Sequence, residues 1–186
     1  MHITNEKNDI ERVLFSEKEI QNRVKEIGAE LTEEYKDKNP CVVCILKGAS
    51  FFYTDLCREI KTNIYMDFIA VSSYGLNSKT SGVVRIIKDL DKNILDRDVI
   101  IVEDIIDSGL TIHYLRNLFS SRSPRSIKTV CLLKKMENTD NKNDVKADVC
   151  GFLIPNVFVV GYGLDYADYY RNLPYIGILK PECYQS

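Results

Sequence analysis

The sequence has little of what would place it in a membrane, on nucleic acid or around a structural metal. No apolar run among its 186 residues approaches the roughly 20 needed to cross a bilayer, and the first dozen residues are polar and mixed in charge. A spanning helix is not expected, and the chain reads as cytoplasmic. Net charge is nearly absent: 25 basic residues against 27 acidic ones leave a formal −2, with no global field for nucleic acid or anionic lipid. Any anion site must therefore be local. Neither G-x-x-x-x-G-K-[ST] nor G-x-G-x-x-G occurs, which removes an ordinary nucleotide-binding module. Cys41 and Cys44 form a C-x-x-C, but no second pair and no nearby histidine complete a metal set. In a strand, residues three apart face opposite sides. The six cysteines read as reduced thiols, four of them in or beside apolar β-like runs.

What is present fits one α/β domain over residues 1–186, with 45% hydrophobic content. Ser16-Glu-Lys-Glu19 has the pattern of a capping box, and Ile20, Val24, Ile27 and Leu31 follow at helical spacing. Val42 to Leu46 is a short strand buried on both faces, leading through Gly48-Ala-Ser50 into a helix from Phe51 to Ile60. A strand from Ile64 to Val71 precedes a Ser/Gly/Asn/Lys-rich segment, Ser72 to Gly82, expected to be a mobile surface loop, and then a short run, Val83 to Ile87. Val99 to Val102 is the strongest buried-strand signal, with a helix from Gly109 to Phe119 after it. Further strands are expected at Thr129–Leu133, Val149–Leu153, Val157–Val160 and Ile176–Leu179, with Asn138–Lys146 as an exposed connection. Strands alternating with helices imply a central, mainly parallel sheet flanked by helices.

The chemistry concentrates in Val99-Ile-Ile-Val-Glu-Asp-Ile-Ile-Asp-Ser-Gly-Leu-Thr111. At the carboxyl end of a parallel strand, Glu103 and Asp104 can accept hydrogen bonds from vicinal hydroxyls, as a ribose presents. Asp107, Ser108, Gly109, Leu110 and Thr111 then turn into a helix whose free N–H groups and dipole suit a phosphate monoester without any Lys or Arg. A solvated acidic strand end before an ordinary capped helix would explain any one of these residues, but not the thirteen in order.

That thirteen-residue pattern resembles the phosphoribosyl-pyrophosphate signature of the type I phosphoribosyltransferases. Within that family the chain looks like the bacterial hypoxanthine/guanine branch, from about Val13 to Leu179. Leu46-Lys47-Gly48 with Ser50 is similar to the family's pyrophosphate turn, where the Leu-Lys peptide is often cis. Ser73-Tyr74-Gly75 is similar to its active-site flap, and Leu132-Leu-Lys-Lys135 to its base-reading strand end. Phe158-Val-Val-Gly-Tyr-Gly-Leu-Asp165-Tyr166, with Arg171 after it, is similar to the purine hood.

The resemblance implies a core of about 40–135 and a hood built from about 1–20 and 136–186. It implies Asp107 as proton acceptor, and Lys47, Gly48, Ser73, Tyr74 and Arg171 for pyrophosphate. For the purine it implies Ile105, Lys135, Phe158, Val159 and Asp165. Mg²⁺ is the implied cofactor, held by Glu103, Asp104 and Asp165. The implied substrates are phosphoribosyl pyrophosphate and a 6-oxopurine, handled by a homodimer or homotetramer without nucleic acid or membrane as partner. Two alternatives stay open: a sibling preferring xanthine, and a regulator that senses phosphoribosyl pyrophosphate and binds nucleic acid.

Overall fold

The computed structural model describes residues 6–74, 83–136 and 147–184. A four-residue helix α1 (Glu6–Asp9) leads into β1 (Ile10–Phe15) and the long helix α2 (Glu17–Glu34). Next come β2 (Cys41–Leu46), α3 (Ser50–Glu59), β3 (Tyr65–Tyr74), β4 (Val83–Lys88) and β5 (Asp98–Ile106). Then follow α4 (Leu110–Ser120), β6 (Ser126–Lys135), β7 (Val149–Ile154), β8 (Val159–Val160) and β9 (Ile176–Leu179). Among the described residues no helix is long and apolar enough to cross a membrane.

The larger sheet has the order β4-β3-β2-β5-β6-β7, all parallel except β4, which returns antiparallel beside β3. Alternation along its central strands feeds two separate cores. Val42, Cys44, Ile100, Val102, Val130 and Leu132 pack under α2 and α3, whereas Cys41, Val43, Ile45, Val99, Ile101 and Cys131 pack under α4. Cys41 and Cys44 accordingly sit on opposite faces, and all six cysteines are free. A second sheet, β1-β9-β8, is antiparallel and stands apart from the first.

Two expectations change, and one strand was not expected. Ser72 to Tyr74 are not loop but the end of β3, because their backbone pairs with Val83 to Arg85 and that ladder outweighs their small polar side chains. The rest of the expected loop, residues 75–82, and the side chains of Ser73 and Tyr74 lie outside the described residues, as does the Asn138–Lys146 connection. The strand β7, placed with the hood by sequence, is the edge of the larger sheet beside β6. The strand β1 carried no clear signal, since Ile10-Glu-Arg-Val-Leu-Phe15 alternates poorly and earns its conformation only by pairing with β9.

The capping box forms as expected: the Ser16 hydroxyl accepts from the Glu19 N–H at 3.4 Å and the Glu19 carboxylate accepts from the Ser16 N–H at 2.8 Å. That cap lies at the exposed end of α2, whereas Ile27 is fully buried against α3 and the sheet. Loss of the cap costs about 1 kcal/mol, and truncating a buried Ile about 2–5 kcal/mol. In urea unfolding, Ile27→Ala should therefore lower the midpoint at least twice as far as Ser16→Ala; equal shifts would mean that α2 is held by its cap and not by its apolar face.

Candidate active site

The strand order reverses between β2 and β5: from β2 the chain moves outward to β3, and from β5 outward to β6 and β7 on the other side. Open α/β sheets bind ligands at the carboxyl ends of strands at such a switch point. Every predicted group of the two turns lies here. After β2 the Leu46–Lys47 peptide is cis, as the resemblance implies, and Lys47-Gly48-Ala49 turns into α3. After β5, Gly109 takes the left-handed conformation (φ 74°) that glycine adopts without Cβ strain, and α4 begins with no side-chain cap. Apart from the Leu110 N–H, which reaches the Ser108 hydroxyl at 3.5 Å, helix geometry leaves its first-turn N–H groups for water or an anion.

The two turns are in contact. A Cβ on Gly48 would overlap the Asp104 carboxylate, and a Cβ on Gly163, in the segment after β8, would overlap the Gly48 carbonyl oxygen. Gly163 also has φ 101°. The Gly48 turn thus meets the Asp104 carboxylate of β5 on one side and the backbone of the hood segment on the other, with no room for a side chain at either glycine.

A cleft of about 230 Å³ opens beside this contact, lined by Asp104, Ile105, Asp107, Lys135, Val157, Phe158, Val159, Leu164 and Asp165. Seven of those nine are residues singled out from sequence; Val157 and Leu164 are added apolar wall. The Lys135 ammonium and the Asp107 carboxylate face each other at 3.0 Å. Lys134, one residue earlier on β6, does not line the cleft, since neighbours along a strand face opposite sides of the sheet. A wider cleft of about 380 Å³ lies between α2 and α3, lined by Gln21, Val24, Lys25, Asp55, Arg58, Glu59 and Lys61. It lies between two helices, away from the carboxyl ends of the strands at the switch point.

Electrostatically the site is under tension. Glu103 is 7% exposed and its carboxyl is pushed well above the usual range, first by burial and then by the neighbouring Asp104. Burial also raises Asp104. Farther out, the Arg171 guanidinium is ion-paired with Asp165 at 2.7 Å and donates to the Gly163 carbonyl at 2.8 Å and to Asp168 at 3.3 Å. Asp168 also accepts from Lys47 at 3.3 Å, and its carboxyl is lowered by Arg171 and then by Lys47. Sequence reading did not single out Asp168; its signal was the three-residue spacing Asp165, Asp168, Arg171. Glu103, Asp104 and Asp165 do not close into one chelating set, and among the described residues no group of three or more His, Cys, Asp or Glu side chains could hold a metal ion.

Residues 14–167 match the phosphoribosyl transferase domain family. The chain belongs to that family. It is 58% identical to a hypoxanthine-guanine phosphoribosyltransferase of Bacillus subtilis over 97% of this chain and 99% of that one. Among solved structures it resembles a Staphylococcus aureus hypoxanthine phosphoribosyltransferase, with a TM-score of 0.92, 45% identity and both chains covered completely. A hypoxanthine-guanine-xanthine phosphoribosyltransferase is similar as well, at a TM-score of 0.84 and 46% identity over 93% of this chain and 99% of that one. Family membership accords with the sheet order and with the signature on β5 and α4.

The buried acid pair has a measurable consequence. In the folded chain Glu103 holds its proton to higher pH than in the unfolded chain, where its range is near 4.5. Between that value and the raised one the folded state binds more protons, so stability falls as pH rises through the window. Glu103→Gln should lessen the fall, with the raised Asp104 supplying what remains, and leave the variant more stable than the parent at about pH 7–8 but little different near pH 4. Urea midpoints measured across that range test it, and a variant that keeps the parent's pH profile would rule Glu103 out as the responsible group.

Proposed function

We propose that this chain transfers the 5-phosphoribosyl group from phosphoribosyl pyrophosphate to hypoxanthine and/or guanine, releasing pyrophosphate, as a purine salvage enzyme. The observation that carries the reading is the Lys135–Asp107 pair at 3.0 Å in a cleft that also contains Phe158 and Val159. A 6-oxopurine protonated on its imidazole ring offers an acceptor, the 6-oxo group, beside a donor, the ring N–H. An ammonium next to a carboxylate complements both. Adenine offers a donor at position 6 and leaves the ammonium facing another donor, a mismatch that buried polar groups punish severely.

Each remaining group takes a part. The vicinal hydroxyls of the ribose go to Glu103 and Asp104, and the 5-phosphate to the turn from Asp107 to Thr111 and the uncapped start of α4. Pyrophosphate goes to Lys47, Gly48 and Arg171, with Ser73 and Tyr74 at the end of β3 assigned to the same ligand. Phe158 stacks on the base, with Ile105 and the Val159 backbone at its edge. In the reaction the bond from the sugar C1 to the pyrophosphate oxygen breaks and a bond from a purine ring nitrogen to C1 forms. The proton displaced from the imidazole ring goes to the Asp107 carboxylate. Arg171 and the Lys47 turn hold the departing anion.

Asp104 and Asp165 line the same cleft, and Glu103 adjoins Asp104. Such a sparse carboxylate set fits Mg²⁺, which keeps several waters and takes substrate phosphate oxygens. When bound, Mg²⁺ neutralises charge on the pyrophosphate oxygens. The reading includes a cytoplasmic homodimer or homotetramer that works on small molecules alone.

A pyrophosphate-release assay with hypoxanthine, guanine, xanthine, adenine and uracil tests the assignment. Release with hypoxanthine or guanine is expected, and release with uracil or adenine alone would overturn it. The xanthine arm separates the sibling activity. Asp107→Asn keeps the size of the side chain but removes its basicity, so turnover with hypoxanthine should fall by about 10²-fold or more. Lys135→Ala should raise the purine KM far more than the phosphoribosyl pyrophosphate KM, and Lys134→Ala should be much milder. The reverse order would show that the base reader is Lys134.

A further inference from the structure

The segment after β9, Pro181 to Tyr184, carries none of the assignments above. Its last described side chain nonetheless lies against the purine site. The Tyr184 ring is stacked on Phe158, with centroids 4.8 Å apart and planes 23° from parallel. Tyr166 meets the same phenyl ring edge-on, at 5.6 Å and 88°. The backbone of Phe158 is fixed from the same direction, because its carbonyl accepts from the Leu179 N–H at 3.0 Å.

The stack rests on an anchored turn. Lys180 N–H donates to the Asp9 carbonyl at 2.9 Å, and Cys183 N–H to the Lys180 carbonyl at 3.0 Å, closing the short 3₁₀ turn Pro181–Cys183. Asp9 is itself held, since its carboxylate accepts from the Tyr170 hydroxyl at 2.9 Å. A phenyl ring has two faces and one rotatable bond about its own axis. Phe158 thus has a stacked contact with Tyr184 and a perpendicular one with Tyr166, and it lines the cleft.

We infer that Tyr184 is a positioning residue for the purine, acting through Phe158: base, Phe158 and Tyr184 form a three-layer stack, and the turn after β9 sets the surface on which the base lies. The inference rests on the reading of Phe158 as the base-stacking residue. It requires the ring of Tyr184 and not its hydroxyl, because no hydrogen bond of that hydroxyl enters the argument. A free Phe158 would have to be ordered by the base at the moment of binding, which weakens purine affinity and leaves the phosphoribosyl pyrophosphate groups untouched.

The test compares Tyr184→Ala, Tyr184→Phe and Phe158→Ala by steady-state kinetics with hypoxanthine and phosphoribosyl pyrophosphate, alongside thermal unfolding. Tyr184→Ala should raise the hypoxanthine KM about 3- to 10-fold, the factor that one aromatic pair corresponds to, with the phosphoribosyl pyrophosphate KM changed by less than about 2-fold. Tyr184→Phe should restore the parent value. In the Phe158→Ala background, adding Tyr184→Ala should change the purine KM no further. An equal rise of both KM values with a lowered melting temperature would overturn the inference, leaving Tyr184 only a structural role. A raised purine KM in Phe158→Ala with a normal one in Tyr184→Ala would also overturn it while sparing the reading of Phe158. A normal purine KM in Phe158→Ala would remove that reading itself, and the inference with it.

Discussion

Everything at this site hangs on two close approaches to backbone, one by a carboxylate and one by another backbone segment. The turn after β2, the acid pair on β5 and the segment after β8 come together at Gly48 and Gly163, where a Cβ on either glycine would occupy the place of a carboxylate or a carbonyl oxygen. The approach of Gly163 to the Gly48 carbonyl fixes relative position more tightly than side chains can, because a peptide group has no rotamers to explore. Once Gly163 is seated on Gly48, its own carbonyl becomes an acceptor for Arg171, and Arg171 in turn holds Asp165 and Asp168. Three separate stretches of chain thereby act as one rigid frame.

Within that frame the charges are arranged for ligands and not for stability. Glu103 and Asp104 are adjacent, sheltered from water and pushed toward their protonated forms, a state that no compact protein gains by keeping. Asp168, exposed to solvent, stands between Lys47 and Arg171. Perturbed titratable groups collected in one cleft are a physical mark of a functional site. Here they are ordered by charge: the acid pair on β5, the cations Lys47 and Arg171 around Asp168, and one mixed pair, Lys135 with Asp107.

The sequence was most legible where one stretch of chain encodes both structure and chemistry. Val99 to Thr111 combines a buried strand, two acids and a glycine with positive φ, each of which restricts the others, and it folds as read. Lys135 was legible through its place at a strand end, and strand alternation separates it from Lys134. Less could be seen where a residue's role depends on a distant partner. The strand β1 exists because β9 is there to pair with it. Asp168 matters because Lys47 comes within reach from far away in the chain, and Tyr184 because its turn folds back over Phe158. No periodicity records such pairings. The end of β3 was misread for the opposite reason: Ser72 and Ser73 have loop-like side chains, and their backbone ladder with β4 overrules them.

The small sheet has a consequence for the order in which the molecule can be assembled. Its strand β1 pairs only with β9, Ile10 against Leu179 and Phe15 against Ile176. A chain emerging from the ribosome presents β1 first and must keep it unpaired while the whole six-stranded sheet is made. The larger sheet draws its strands from residues 41–154 and can close beforehand by short crossovers, whereas the small sheet must close the longest loop in the fold. The turns after β2 and β5 are thus in place earlier in synthesis than the segment after β8 that packs against them, so a partly translated chain carries the floor of the cleft before it carries the wall.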